Sequence, residues 1–271
     1  MKNIVITGAS SGIGLATAEY LKKQGLMVYP TARRDEDVKR LKALGFDGAM
    51  KLDILLDDDI DRVIEAVLAR DGKIDVWFNN AGYGQAGAIE DLKSCYIKEQ
   101  FDTNFFGLYQ ATYKIIPIMR RQKSGIIIQH SSVLGLISLI GRGAYNASKY
   151  AIEGLSDTLR LELMGSGVYV CVLNTGPVTS NFRDTAMRKL QENVDIENSI
   201  FRDKYLENIN SDKSSVPFNL EAVEVAKVVY KITQSKRVKP RYYITKATHI
   251  LGFLKRIVPT SWLDRILYKI S

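Results

Sequence analysis

Only two cysteines, Cys95 and Cys171, occur in the chain, and they show no metal-ligand spacing. No metal site is expected. No run of about 18 apolar residues is present, so a spanning helix is not expected. At the N-terminus only "IVI" at residues 4 to 6 is continuously apolar, too short for a secretory core. Without such a signal the two thiols read as reduced and mostly buried, in a cytoplasmic protein. Repeats, low-complexity segments and clear linkers are also missing. Net charge is nearly absent from the body of the chain. The total is +8, and nine cations against the single acid Asp264 in residues 236 to 271 account for all of it. That basic tail has no interleaved aromatic pattern and no nucleic-acid reading motif, so no nucleic-acid partner is expected.

What the chain does have is ample material for one core. Its 271 residues are 46% hydrophobic. Short β-branched runs alternate with helical stretches. Strands are expected at 3–8, 26–32, 48–54, 73–82, 125–132 and 167–176, and helices at about 13–24, 36–44, 57–70, 94–122 and 144–164. Alternation of this kind requires crossovers, and hence a parallel sheet. The expected fold is α/β: a Rossmann-like, doubly wound parallel sheet with helices on both faces, in a single domain of residues 1–271.

Two stretches carry chemistry. "TGASSGIG" (7–14) follows the first strand and opens the first helix. Glycines there permit a tight turn and close approach of a pyrophosphate, and the helix N-terminus offers free N–H groups to it. "YNASK" (145–149) puts Tyr145 and Lys149 one helical turn apart. A phenol with an ordinary pKa near ~10 is a poor acid at neutral pH, and a nearby ammonium lowers it. Taken alone, that spacing also fits an ordinary helix face.

Together with "NNAG" (79–82) and Ser132, these motifs stand in an order that resembles the classical short-chain dehydrogenase/reductase family, over about residues 3–180. The resemblance implies catalytic roles for Asn104, Ser132, Tyr145 and Lys149. Ser132 holds the substrate oxygen, Tyr145 transfers a proton, Lys149 tunes the phenol and holds the nicotinamide ribose, and Asn104 supports a proton relay. It also implies cofactor contacts from Gly8, Ser10, Ser11, Gly12, Ile13 and Gly14, from Asp53 and Ile54, from Asn80, Ala81 and Gly82, and from Val178 and Ser180. Departures from the family pattern occur at Thr175, where proline is usual, and at His130, where an aliphatic residue is common. His130 receives no role.

The second strand ends at Ala32 with no acid for the ribose hydroxyls, and Arg33 and Arg34 follow. A guanidinium fork suits a 2′-phosphate, with Arg33 expected to bind it and Arg34 as helper. NADP(H) is therefore the expected cofactor, ahead of NAD. The resemblance further implies an oxidoreductase interconverting a carbonyl and an alcohol, on a lipophilic substrate resembling a steroid, a retinoid or an acyl chain. A catalytically idle NADP(H)-binding sensor on the same fold is the alternative. Residues 181–218 are expected to form a mobile substrate lid, and helices near 104–122 and 144–164 to pair in a homodimer or homotetramer. The tail, 247–271, reads as a basic amphipathic extension interrupted by Pro259. Two readings of it stay open: packing as a wall of the substrate cleft, and peripheral membrane contact.

Overall fold

In the computed structural model, which describes residues 1–210 and 218–271, the alternating elements close into a seven-stranded, all-parallel sheet. The first half runs β1 (Asn3–Ile6), α1 (Gly12–Lys23), β2 (Met27–Ala32), α2 (Asp35–Ala43), β3 (Met50–Lys51), α3 (Asp57–Asp71) and β4 (Val76–Asn79). The second continues with α4 (Ser94–Phe101), α5 (Leu108–Gln122), β5 (Gly125–Ser132), α6 (Gly143–Glu162) and β6 (Val168–Thr175). A short β7 (Val178–Thr179), α7 (Phe182–Asn193), α8 (Arg202–Asn210) and β8 (Leu220–Glu221) come next. The chain then returns through α9 (Ala222–Gln234) and β9 (Arg241–Tyr243) and ends in α10 (Lys246–Ile257) and α11 (Thr260–Ile270).

Strand order in the large sheet is β3-β2-β1-β4-β5-β6-β9. The winding reverses between β1 and β4, and a ligand crevice opens there, beyond the carboxyl ends of the strands. The central strand β1, most of β4 and the first half of β5 are apolar because both of their faces are covered. Ile4, Ile6, Val76, Phe78, Ile126 and Ile128 face α1 and α9, through Ala18, Leu21, Val225 and Val229. The alternate residues Val5, Trp77 and Ile127 face α3, α5 and α6, through Val63, Ile115 and Leu159. Fully burying one such isoleucine stabilises the fold by about 1.5–3 kcal/mol.

Several expected boundaries change. The helix expected over 94–122 is broken by a π turn at Asp102–Gly107. Gly107 lies so close to Ile54 that an added Cβ would stand 2.8 Å from its Cγ2. The strand expected at 48–54 shrinks to two residues at the sheet edge. Neither α9 nor β9 is anticipated by the sequence reading. The edge strand β9 has no apolar alternation. It is held by Arg241, which bonds Glu153 at 2.9 Å and Asp157 at 2.7 Å on α6. Most of the segment expected as a lid is helical, in α7 and α8, and residues 211–217 of it lie outside the described residues. No helix among the described residues is long and apolar enough to cross a membrane.

Candidate active site

The turn after β1 is shaped by glycine where no other residue fits. Gly8 and Gly12 have φ of +64° and +55°. A Cβ on Gly14 would stand 2.5 Å from the Gly8 carbonyl oxygen. Ser11 is the N-cap of α1, yet no side chain caps the helix and its first turn holds no acid. The N–H groups of that turn and its positive dipole end therefore face a cleft of about 1900 Å³ lined by Ser10, Ser11, Gly12 and Ile13. This is the donor set that a pyrophosphate requires.

Arg33, just past β2, lines the same cleft, and its side chain makes no hydrogen bond or ion pair among the described residues. The expected helper Arg34 is placed differently. Its Nε bonds Asp37 at 2.8 Å and it does not line the cleft. Arg40, which the sequence reading passes over, pairs with Asp37 at 2.9 Å and donates to the Ser10 carbonyl. One buried carboxylate thus ties α2 to the glycine turn. Asp53 and Ile54 line the cleft on its far side. Asp53 Oδ1 caps the following turn at Leu55 N–H, 3.1 Å away.

At the end of β4, Asn80 Nδ2 donates to the carbonyls of Thr7 and Gly8 at 3.0 Å each. The backbone N–H of Ala81 meets Thr7 Oγ1 at 3.0 Å. Gly82 leaves just enough room for Asn104, whose Oδ1 would lie 3.0 Å from an added Cβ. Asn104 itself sits in the π turn, with its side chain engaged by Tyr83. Oδ1 accepts from the Tyr83 N–H at 3.0 Å and Nδ2 donates to its carbonyl at 2.9 Å. It does not line the cleft, unlike Ser132, Tyr145 and Lys149.

Ser131 and Ser132 point to opposite sides, as strand geometry demands. Ser131 Oγ is buried with no hydrogen-bond partner among the described residues. Ser132 Oγ accepts from Leu134 N–H at 3.1 Å, and its hydroxyl acts on the Tyr145 phenol to lower its pKa. The Tyr145 pKa is pushed up to about 12 by burial, which outweighs the lowering by Ser132 and by the charge of Arg142. The sequence reading had Lys149 lowering it. Here the net shift is upward, because desolvation of the phenolate dominates. Lys149 Nζ lies 5.5 Å from the Tyr145 ring centre and donates to the His130 carbonyl at 2.7 Å. Burial draws its pKa down to about 8, with Glu153 opposing.

His130, given no role by the sequence reading, is a junction. Nδ1 meets Asn80 Oδ1 at 3.0 Å and Nε2 meets Thr175 Oγ1 at 3.2 Å. Asn80 Oδ1 can only accept, so Nδ1 donates and Nε2 accepts from the threonine hydroxyl. The two departures from the family pattern are thus partners in one bond. Their joint occurrence was the signal available in the sequence. Burial first, then Lys149, lower the His130 pKa to about 3, so the ring is neutral.

Val178 and Ser180 line the cleft beside the glycine turn, the position of an added Cβ on Gly12 lying 3.2 Å from Ser180 Cβ. Thr179 lines the cleft as well and donates to Glu221 at 3.0 Å.

A family model described as short chain dehydrogenase matches residues 2–191. The Escherichia coli K12 protein named uncharacterized oxidoreductase YbbO is 38% identical over 267 residues, covering 98% of this chain and 94% of the relative. Among solved structures, a short-chain dehydrogenase from Streptomyces avermitilis superposes with a TM-score of 0.76 at 29% identity, over 98% of this chain and 93% of that one. The closed form of serine dehydrogenase complexed with NADP+ shares the fold at 23% identity, with a TM-score of 0.77 over 91% of this chain and 95% of that one. A matched model over two-thirds of the length, and a full-length relative, place the chain in the short-chain dehydrogenase family of oxidoreductases.

Proposed function

We propose that the protein is an NADP(H)-dependent oxidoreductase that interconverts a carbonyl and an alcohol on a lipophilic substrate. The observation that carries this reading is the meeting of Ser132, Tyr145 and Lys149 in the cleft that the glycine turn and the unpartnered Arg33 also line. Arg33 is assigned the 2′-phosphate, and Arg34 is dropped from that role. When bound, the nicotinamide supplies or accepts the hydride. The chain's own residues do the rest. Ser132 and Tyr145 orient the carbonyl and stabilise charge growing on its oxygen. Tyr145 delivers the proton at its hydroxyl. Lys149, held by the His130 carbonyl, presents its cation beneath the phenol and to the ribose. Asn104 is assigned the proton relay, one step removed from the cleft through the π turn.

The lipophilic reading rests on the substrate half of the cleft. Phe182 packs edge-on against Tyr145, ring centres 5.3 Å apart, with Leu134, Leu139 and Met187 nearby. Residues 181–210, in α7 and α8, are assigned the lid. A screen of ketones, aldehydes and alcohols with NADPH and NADP+, followed at 340 nm, tests the reading; no turnover with any of them would sink it. No observation favours an idle sensor.

The proposed location is the cytoplasm, in keeping with free thiols at Cys95 and Cys171, and the proposed assembly is a dimer or tetramer. Supporting the latter, α5 and its flank expose Phe106, Tyr109 and Tyr113, and α6 exposes Leu161.

The tail serves both of its expected readings in this proposal. Leu263 and Leu267 pack on Val133 and Ile137, and Ile270 and Ser271 reach the cleft. A second apolar stripe stays exposed: Ile250, Phe253 and Ile257 on α10, and Trp262 and Ile266 on α11. Lys246, Lys255, Arg256, Arg265 and Lys269 make no ion pair among the described residues. Asp264 lies about 160° around α11 from Ile266. An apolar stripe flanked by uncompensated cations suits the surface of an anionic bilayer.

A further inference from the structure

Arg142 is the group in the cleft that the chemistry above does not use. It is the N-cap of α6, three residues before Tyr145, and it lines the cleft. That spacing sets the two side chains about one helical turn apart. Its guanidinium has no hydrogen bond and no ion pair among the described residues. Arg183, a second cation, and the Tyr145 phenol both act on its charge. Burial, then Arg183, lower its pKa, but a guanidinium stays charged near neutrality. Arg183 lines the same cleft and donates to the Asn208 carbonyl at 3.3 Å.

Placing Arg142, which has no ion pair among the described residues, beside another cation destabilises the folded chain unless a ligand supplies charge. The α6 N-terminus adds to the demand: no side chain caps it and its first turn holds no acid. A helix start, an unpartnered guanidinium and a second arginine converge beside the residue that handles the proton. Apolar side chains, Phe182, Leu134 and Leu139, line the same cleft, among polar ones such as Thr185 and Glu207.

We infer that Arg142 and Arg183 form a carboxylate seat next to Tyr145, and that the substrate is an apolar carbonyl compound bearing a carboxylate within about one helical turn's length of the reacting carbon. This rests on the carbonyl chemistry proposed above and narrows its substrate class. An acyl-like oxo acid fits; a neutral steroid or retinoid leaves the seat empty. A guanidinium fork grips a carboxylate through two parallel bonds, which fixes the carbonyl's orientation as well as its affinity.

The test compares 4-oxooctanoate with its methyl ester as substrates, and octanoate with octanamide as non-reacting ligands by calorimetry. Each pair is measured on the full chain with NADPH or NADP+, and on Arg142→Met, Arg142→Lys and Arg188→Met. Arg188 is a cleft-rim cation already paired with Glu192 at 2.9 Å. The seat predicts a preference of about tenfold or more for the acid over the ester in kcat/KM, the size of a charge-assisted bond. Arg142→Met abolishes that preference, Arg142→Lys keeps part of it, and Arg188→Met keeps all of it. Equal handling of acid and ester by the unaltered chain overturns the inference without reliance on any variant. So does an Arg142→Met chain that slows both substrates equally, since Arg142 then only tunes the phenol. If no carbonyl is reduced but octanoate still outbinds octanamide in an Arg142-dependent way, the activity reading fails and the seat stands. Octanoate bound no better than octanamide removes the seat.

Discussion

The imidazole of His130 accepts from the hydroxyl of Thr175 at 3.2 Å and, through its other nitrogen, donates to Asn80 at 3.0 Å. One neutral ring thereby joins the end of β4, the middle of the catalytic strand and the end of β6. His130→Leu leaves Asn80 Oδ1 and Thr175 Oγ1 without that partner, and a buried unsatisfied group costs about 1–3 kcal/mol. For a chain of this length the melting temperature should fall by roughly 2–4 °C per kcal/mol. The double variant His130→Leu with Thr175→Val should lose less than the sum of the single losses, because both ends of one bond are then apolar. Additive losses would show that the two residues act separately.

The same ring makes a pH prediction. Its pKa is about 3 in the fold and near ~6.5 in the unfolded chain. Between those values the unfolded chain binds the extra proton, so stability falls as the pH is lowered from about 6.5 toward 3. Urea midpoints measured across that range should drop more steeply for the unaltered chain than for His130→Leu. Parallel curves would mean that His130 does not set the acid limit.

Lys149 and Tyr145 act at the other end of the scale. Lys149, at about 8 in the fold against ~10.4 unfolded, is disfavoured as a cation, so its penalty lifts as pH rises from 8 to 10. Tyr145, at about 12 against ~10, loses its advantage above pH 10. In the cofactor-free protein, Lys149→Met should flatten the rise from pH 8 to 10 and leave the later fall in place. A rise that survives in Lys149→Met has another source.

Tyr145→Phe should reduce turnover by about 100-fold or more, the usual scale of a general acid, while NADPH binding read by fluorescence stays nearly intact. Near-normal turnover would assign the proton to another donor.

Arg33→Ala should weaken NADPH by roughly 1.5–3 kcal/mol and NADH far less, whereas Arg34→Ala should change neither, since Arg34 bonds Asp37 instead. Equal losses for both cofactors on Arg33→Ala would refute the phosphate assignment.

Sedimentation with phosphatidylserine vesicles tests the tail. Binding at low salt should fail at high salt, on neutral phosphatidylcholine vesicles, and in Phe253→Ser with Trp262→Ser. Should that variant instead halve the particle mass in light scattering, the stripe belongs to a second copy of the chain.

The sheet was readable because its central strands carry apolar runs on both faces and are separated by helices with a clear 3.6-residue period; β1, β4 and the start of β5 announce themselves. Such patterns end where polar contacts take over. β9 has no alternation to detect, since Arg241 anchors it from the side. At the site, motif order was enough to bring Ser132, Tyr145 and Lys149 to one cleft. It put Arg33 ahead of Arg34 yet kept both, because which of two adjacent guanidiniums is captured depends on Asp37 across a helical turn. Arg142 was invisible for a related reason. A missing partner is a property of three-dimensional surroundings, and the letter R in "GRGAY" carries none of them.

The π turn at Asp102–Gly107 puts one residue more into a long helix than the α repeat would hold. It acts as a phase shift. Residues before and after it keep their own faces toward the body, but only because the surplus residue absorbs the mismatch, and Asn104 sits inside that surplus. Removing a single residue there, such as Thr103, would let the segment relax into continuous α-helix while the residues beyond the cut keep nearly the same faces, because the wide turn had already absorbed the extra residue. Asn104 would be drawn off Tyr83, whereas the flanking turns would stay packed as before. The surplus residue is therefore a constraint on where Asn104 sits and not on the packing of the helix that carries it.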